Sequence, residues 1–219
     1  MMTPSASAPT VIESGDNVFQ ICFTDPNQGV ASADYIADNK LGTKVGIIYD
    51  SSDAYSSGIY EKFKAEAAAK NLEIVTAEAF TADNKSDLST QVAKCQEAGA
   101  DLVFLPIYYQ EASQILIAAN KSGYEPVFFG CDGMDGILSI DGFDTSLAEG
   151  LMLLTPFAAD AQDEKTQAFV SAYKEVYGDT PNQFAADAYD VVYAIYEAVL
   201  AGGLNGDMDA SDICDALKT

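Results

Sequence analysis

Histidine is absent from this chain, and with it go Ser-His-Asp and Cys-His catalysis and the usual nitrogen ligand of zinc sites. Positive charge is scarce: Lys and Arg total 11 against 34 Asp and Glu, a formal net charge of −23. Such a surface repels polyanions, which excludes DNA, RNA and anionic membranes as partners. No apolar run approaches the roughly 18 residues of a membrane span. The opening MMTPSASAPT lacks the basic and apolar regions of a signal peptide, so the sequence as it stands is expected to be soluble and unaddressed. Cysteine is sparse too. Cys22, Cys95, Cys131 and Cys214 form no CxxC pair, which argues against a zinc or thioredoxin-type motif. Each sits in an apolar or helical stretch and is expected to be a buried thiol, although the even number leaves disulfides open in an oxidising compartment.

What is present suffices for a core: 219 residues with 48% hydrophobic content make a globular chain. Short apolar runs alternate with longer amphipathic stretches. VFQICF (18–23), KVGIIYD (44–50), EIVTAEAF (73–80), DLVFLPIY (101–108), PVFFGCDG (126–133) and GLMLLTPF (150–157) read as strands. Between them, 29–40, 55–70, 86–98 and 110–122 read as helices. This alternation predicts an α/β fold, a doubly wound parallel sheet of Rossmann type covered on both faces. After Phe157 the rhythm changes to helices alone, at 164–177, at 184–201 and from Asp209 onward. GDTP and AGGLNGD supply the breaks. In the middle helix Phe184, Ala188, Val191, Val192, Ile195 and Val199 recur at helical spacing and need a surface to bury against.

Motifs for cofactors and metals are weak. NGDMDASD (205–212) has Asn205, Asp207 and Asp209 at alternate positions but lacks the glycine and glutamate of a calcium loop, so it reads as a helix start capped by Asp209 or Ser211. GCDGMDG (130–136) has no GxGxxG spacing, and YDSSDAYSSG (49–58) has no Walker lysine. The sequence implies no cofactor and no metal. What remains is a set of side chains following strands: Asp25, Tyr55, Tyr108 and Asp132. Ligands of open α/β sheets bind outside the carboxyl ends of the strands. Two tyrosines offer flat apolar surface and two carboxylates offer charge, with neither nucleophile nor base beside them. The set suits a small cationic or zwitterionic molecule; the alternative is that each aspartate merely caps the next helix.

TPSASAPT (3–10), FTDPNQG (23–29), IYDSSDAYSSG (48–58), FLPIYYQEASQI (104–115) and GCDGMDG, in this order and spacing, resemble the leucine/isoleucine/valine-binding proteins and related solute receptors of the type I periplasmic-binding fold. The resemblance implies a two-lobed, non-enzymatic receptor that closes on an amino acid and delivers it to the permease of an ABC importer outside the cytoplasm. It implies that residues 25–157 are the second lobe, 1–24 a segment of the first lobe with a crossover, and 158–219 the return helices of the first lobe. The opening units of the first lobe and the closing strands of both lobes have no counterpart here, so a fragment is expected, with apolar helix faces that favour self-association. By motif position, Ser5 and Ser7 match groups that hold the ligand's α-carboxylate and ammonium. Asp25 matches a crossover aspartate, Tyr55 and Tyr108 match cleft tyrosines, and Phe184 matches an aromatic of the side-chain pocket. Asp132 stands where leucine-binding members have a glutamate gripping the ammonium; Asp135 is then a cap or solvated. A sensing domain of a receptor or regulator with the same fold is the alternative reading, and the resemblance does not fix which amino acid binds.

Overall fold

The computed structural model describes all 219 residues, which divide into two compact units: 24–156, and 1–23 together with 157–219. Each is described by itself.

The larger unit is a five-stranded sheet with every pair of neighbouring strands parallel. It is built from α2 (Asp25–Asn39), β3 (Lys44–Asp50), α3 (Ala54–Ala69), β4 (Glu73–Phe80), α4 (Ser89–Glu97), β5 (Leu102–Leu105), α5 (Tyr109–Ser122), β6 (Val127–Gly130) and β7 (Met152–Leu153). The strand order is β4-β3-β5-β6-β7. Alternation along the central strands assigns the two faces. Val45 and Ile47 of β3 with Leu102 and Phe104 of β5 pack on Ile36, Ile59 and Phe63 from α2 and α3. Ile48, Val103 and Leu105 point the other way, onto Val92, Ile115 and Leu116 from α4 and α5. Burial on both faces is what a parallel sheet requires, and the chain supplies it with near-continuous apolar strands. Asp101 pins the start of β3: its carboxylate accepts the backbone N–H groups of Thr43 and Lys44, both at 2.8 Å, and the Thr43 hydroxyl.

α2 and α3 approach closely at Gly29, where an added methyl carbon would stand 2.5 Å from the Ile59 carbonyl oxygen. α2 begins a turn earlier than the expected 29–40 because Pro26 is accommodated in its first turn, after Thr24 at the N-cap, where a missing N–H costs nothing. β5 ends at Leu105 rather than Tyr108, since Pro106 has no N–H to continue the ladder. The segment after β6 turns into a 3-10 turn, Asp132–Met134, so that strand stops at Gly130. α4 starts at Ser89, with Ser89 N–H donating to the Asp87 carboxylate at 2.9 Å.

The smaller unit contains β1 (Met2–Thr3), α1 (Pro9–Ile12), β2 (Phe19–Gln20), α6 (Glu164–Tyr177), α7 (Gln183–Ala201) and α8 (Ala210–Leu217). VFQICF therefore supplies only two residues of strand, and they pair with β1 in a separate two-stranded parallel sheet. α7 is apolar around most of its circumference. Ala186 and Ala198 are buried, whereas Tyr189, Val192, Tyr193, Tyr196 and Leu200 are exposed, so helical spacing alone did not select the inward side. Asp209 caps α8 in a reciprocal capping box with Asp212. No helix is long and apolar enough to cross a membrane.

Candidate functional site

The strand order places a reversal between β3 and β5. The connection after β3 runs through α3 on one face to β4, and the connection after β5 runs through α5 on the other face to β6. The two chains leave the sheet in opposite directions, which opens a crevice outside their carboxyl ends. Tyr55, at the start of α3, and Tyr108, just before α5, stand there with rings stacked at 4.9 Å between centroids and 22° between planes. Tyr55 is the inner ring and is buried; Tyr108 is the outer ring and is 45% exposed.

Asp132, following β6, completes the group. It is 3% exposed, and its Oδ1 accepts a hydrogen bond from the Tyr55 hydroxyl at 2.6 Å. That hydroxyl in turn accepts the Gly133 N–H at 2.9 Å. Gly133 is required here by space: a methyl carbon would lie 2.8 Å from Tyr55 Oη and 3.1 Å from the Ile107 carbonyl oxygen and Tyr108 Cδ1. The Asp132 N–H donates to Gln28 Oε1 at 3.3 Å, and Gln28, in the first turns of α2, is fully buried. Asp25, also buried, comes from the start of α2 and faces α3, within 3.8 Å of the position a Gly58 side chain would take.

Neither aspartate occupies an N-cap. Thr24 holds that position for α2 and Cys131 for the 3-10 turn. The electrostatics are of one sign. Burial first, then the negative charge of Asp53, Asp132, Asp25 and Glu111, pushes the Tyr108 phenol up to about 12. Burial pushes the Tyr55 phenol well above its ordinary value, with Cys131 and Asp132 adding to it. Tyr108 is also one wall of a neighbouring cavity of about 230 Å³ lined by Asp50, Asp53, Ser56, Lys85 and Glu111, in which Lys85 and Glu111 are paired at 2.8 Å. A stacked aromatic pair beside a buried carboxylate combines flat apolar surface with negative charge.

Three residues read as following strands, Tyr55, Tyr108 and Asp132, thus come together at β3, β5 and β6. Asp25 joins them from a helix start, since the strand before it belongs to the small sheet. Ser5, Ser7 and Phe184 belong to the other unit, where Ser7 is buried, Ser5 exposed and Phe184 half-buried. Asp135 closes the 3-10 turn, its N–H donating to the Asp132 carbonyl at 2.9 Å. Gln28 and Gly133 escaped the sequence reading. Gln28 had a legible signal, one helical turn after Asp25.

The chain matches the model of the family described as "Periplasmic binding protein" over residues 1–219. It is 27% identical over its whole length to the leucine-, isoleucine-, valine-, threonine- and alanine-binding protein of Pseudomonas aeruginosa and 28% identical to the Leu/Ile/Val-binding protein of Escherichia coli, spanning 57% of each. Among solved structures it is similar to a leucine-binding protein of Thermotoga maritima, with a TM-score of 0.86 and 26% identity over 99% of this chain and 61% of that one. It is also similar to the branched-chain amino acid substrate-binding protein of Streptococcus pneumoniae in complex with isoleucine, with a TM-score of 0.82 and 25% identity over 99% of this chain and 60% of that one. The type I fold expected from the motifs is the fold observed, and the chain belongs to the periplasmic binding protein family.

Proposed function

We propose that this chain is part of an extracytoplasmic solute-binding protein that holds an aliphatic amino acid and presents it to the permease of an ABC importer, without catalysing a reaction. The observation that carries the reading is Asp132, a carboxylate buried after β6 and hydrogen-bonded to the inner member of a stacked tyrosine pair. In this reading Asp132 pairs with the ligand ammonium and the outer face of Tyr108 packs on the ligand. Asp25 adds negative charge nearby, and Tyr55 backs the aromatic wall. Residues 25–157 act as one lobe, and 1–24 with 158–219 contribute to the other. Ser5 and Ser7 would meet the α-carboxylate, and Phe184 the side chain. The names of the relatives, which bind leucine, isoleucine and valine, support an aliphatic ligand.

A thermal-shift screen of the complete solute-binding protein, of which this chain is proposed to be part, against the amino acids at millimolar concentration tests this. Ligand at about 100 times Kd adds roughly 2.7 kcal/mol to stability. Leucine, isoleucine or valine should raise the melting temperature; a response to none of them would overturn the reading.

A further inference from the structure

Tyr55 is poorly placed to touch a ligand. The residue is 7% exposed, its ring stacked against that of Tyr108, and its hydroxyl already donates to Asp132 Oδ1 at 2.6 Å and accepts from Gly133 N–H at 2.9 Å. A phenol has one proton to donate, and here it is committed to the carboxylate. We propose that Tyr55 is a positioning residue for the ammonium site: its hydroxyl clamps the Asp132 carboxylate to the backbone of the Asp132–Met134 turn, so that the carboxylate is held in one orientation before a ligand arrives. This rests on the assignment of Asp132 as the ammonium partner.

Three features support the clamp. The two bonds on one oxygen tie a side chain and a main-chain N–H of consecutive residues, so the carboxylate and the turn cannot move independently. Gly133 leaves room for the hydroxyl that no other residue would leave. Burial raises the phenol well above its ordinary value, so the donor is present at neutral pH. A carboxylate fixed by its neighbours avoids reorganisation on binding, which is where preorganised sites gain affinity.

The test is a double-mutant cycle by calorimetric titration of leucine into the wild type, Tyr55→Phe, Asp132→Asn and the double variant, with melting temperatures recorded for each. If Tyr55 acts through Asp132, Tyr55→Phe weakens binding about tenfold in the wild-type background and less than about twofold in the Asp132→Asn background, the signature of coupled sites. A similar loss in both backgrounds, or no loss in either, would overturn the proposal. Failure of the wild type to bind any amino acid counts against the proposed function instead. The clamp is then decided, as it is where the Asp132→Asn background binds too weakly to titrate, by proton NMR of the ligand-free protein. A downfield, exchange-protected hydroxyl resonance that vanishes in Tyr55→Phe and moves upfield in Asp132→Asn is expected, and its absence from the wild type would refute the clamp.

Discussion

The ring of Tyr108 covers the ring of Tyr55, 4.9 Å away and nearly parallel, while leaving its own outer face to solvent. An aromatic pair of this geometry contributes about 0.5–1.5 kcal/mol beyond the area it buries. Tyr108→Ala should therefore destabilise the fold only modestly. It should nonetheless weaken amino-acid binding about tenfold by removing the apolar surface and exposing Tyr55, an effect of about 1.4 kcal/mol. Calorimetric affinity alongside the melting temperature checks both, and unchanged affinity would remove Tyr108 from the site.

Asp132→Asn and Asp135→Asn each remove one charge from the same turn and almost conserve volume, so they alter the long-range field equally. Only Asp132 is buried beside the tyrosines. Loss of a charge-assisted bond to an ammonium costs roughly 1.5–3 kcal/mol, and more if the cation stays buried. Affinity should drop at least about tenfold for Asp132→Asn. It should stay within about threefold for Asp135→Asn, which sits at the C-terminal end of the turn and takes no part in the Tyr55–Asp132 bond. A larger loss at Asp135 would return GCDGMDG to a turn without a ligand.

Gly29→Ala should destabilise the larger unit by about 1–3 kcal/mol, because the added carbon would meet backbone rather than a movable side chain: the Ile59 carbonyl oxygen at 2.5 Å and the Phe63 nitrogen at 2.8 Å. Urea denaturation should show a lower midpoint with an unchanged slope. Stability equal to the wild type would mean that α2 and α3 slide apart without cost.

No disulfide joins the four cysteines; Cys22, Cys95 and Cys131 are buried and Cys214 half-buried. Burial pushes the Cys95 thiol up to about 12 and raises Cys131 as well, so neither supplies thiolate at neutral pH. Titration with a chromogenic disulfide should modify at most Cys214 in the native protein and all four thiols after denaturation. Rapid reaction of more than one native thiol would contradict the packing.

The Glu78–Lys94 pair predicts an acid limb of stability. Burial pushes the Glu78 carboxyl up, but the hydrogen bonds from Lys94 and Thr76 outweigh it and hold it below its ordinary value. A carboxylate depressed on folding stabilises above its unfolded pKa, and that contribution is lost as pH falls through the folded pKa. Lys94 is half exposed, so solvent screens the pair and its contribution is small. Lys94→Met should be slightly less stable than the wild type at pH 7 and equal to it in acid. A difference that persisted below the folded midpoint would exclude the ion pair as its cause.

Where local chemistry and tertiary context agreed, the sequence could be read to the residue. KVGIIYD and EIVTAEAF are strands over the expected spans because β-branched runs are bounded by turn residues. Proline lay behind two of the differences, shortening β5 at Pro106 and falling within the first turn of α2, which begins at Asp25 rather than Gly29. The short ladder of β2 was not legible either, since an apolar run of six does not say which partner strand it will find. In the site, position after a strand was enough to single out Tyr55, Tyr108 and Asp132. The bond between Tyr55 and Asp132 joins residues 77 apart in the chain, and no periodicity encodes it. Gln28, one helical turn after Asp25, could have been singled out by position, but its bond to the Asp132 N–H, 104 residues on, could not.

The β1–β2 pair has a consequence on the time axis. Its ladder is two residues long, extended by Phe19 N–H to the Met1 carbonyl and Ile21 N–H to the Thr3 carbonyl, whereas Val103 and Phe104 of β5 lie fully buried with a partner strand on either side. In deuterated solvent the amides of Phe19 and Ile21 should exchange by fraying, without the rest of the chain opening. Those of Val103 and Phe104 should exchange only when the whole sheet comes apart. One polypeptide would then report two opening rates, and the slower would measure the stability of the surface on which Tyr55, Tyr108 and Asp132 are mounted.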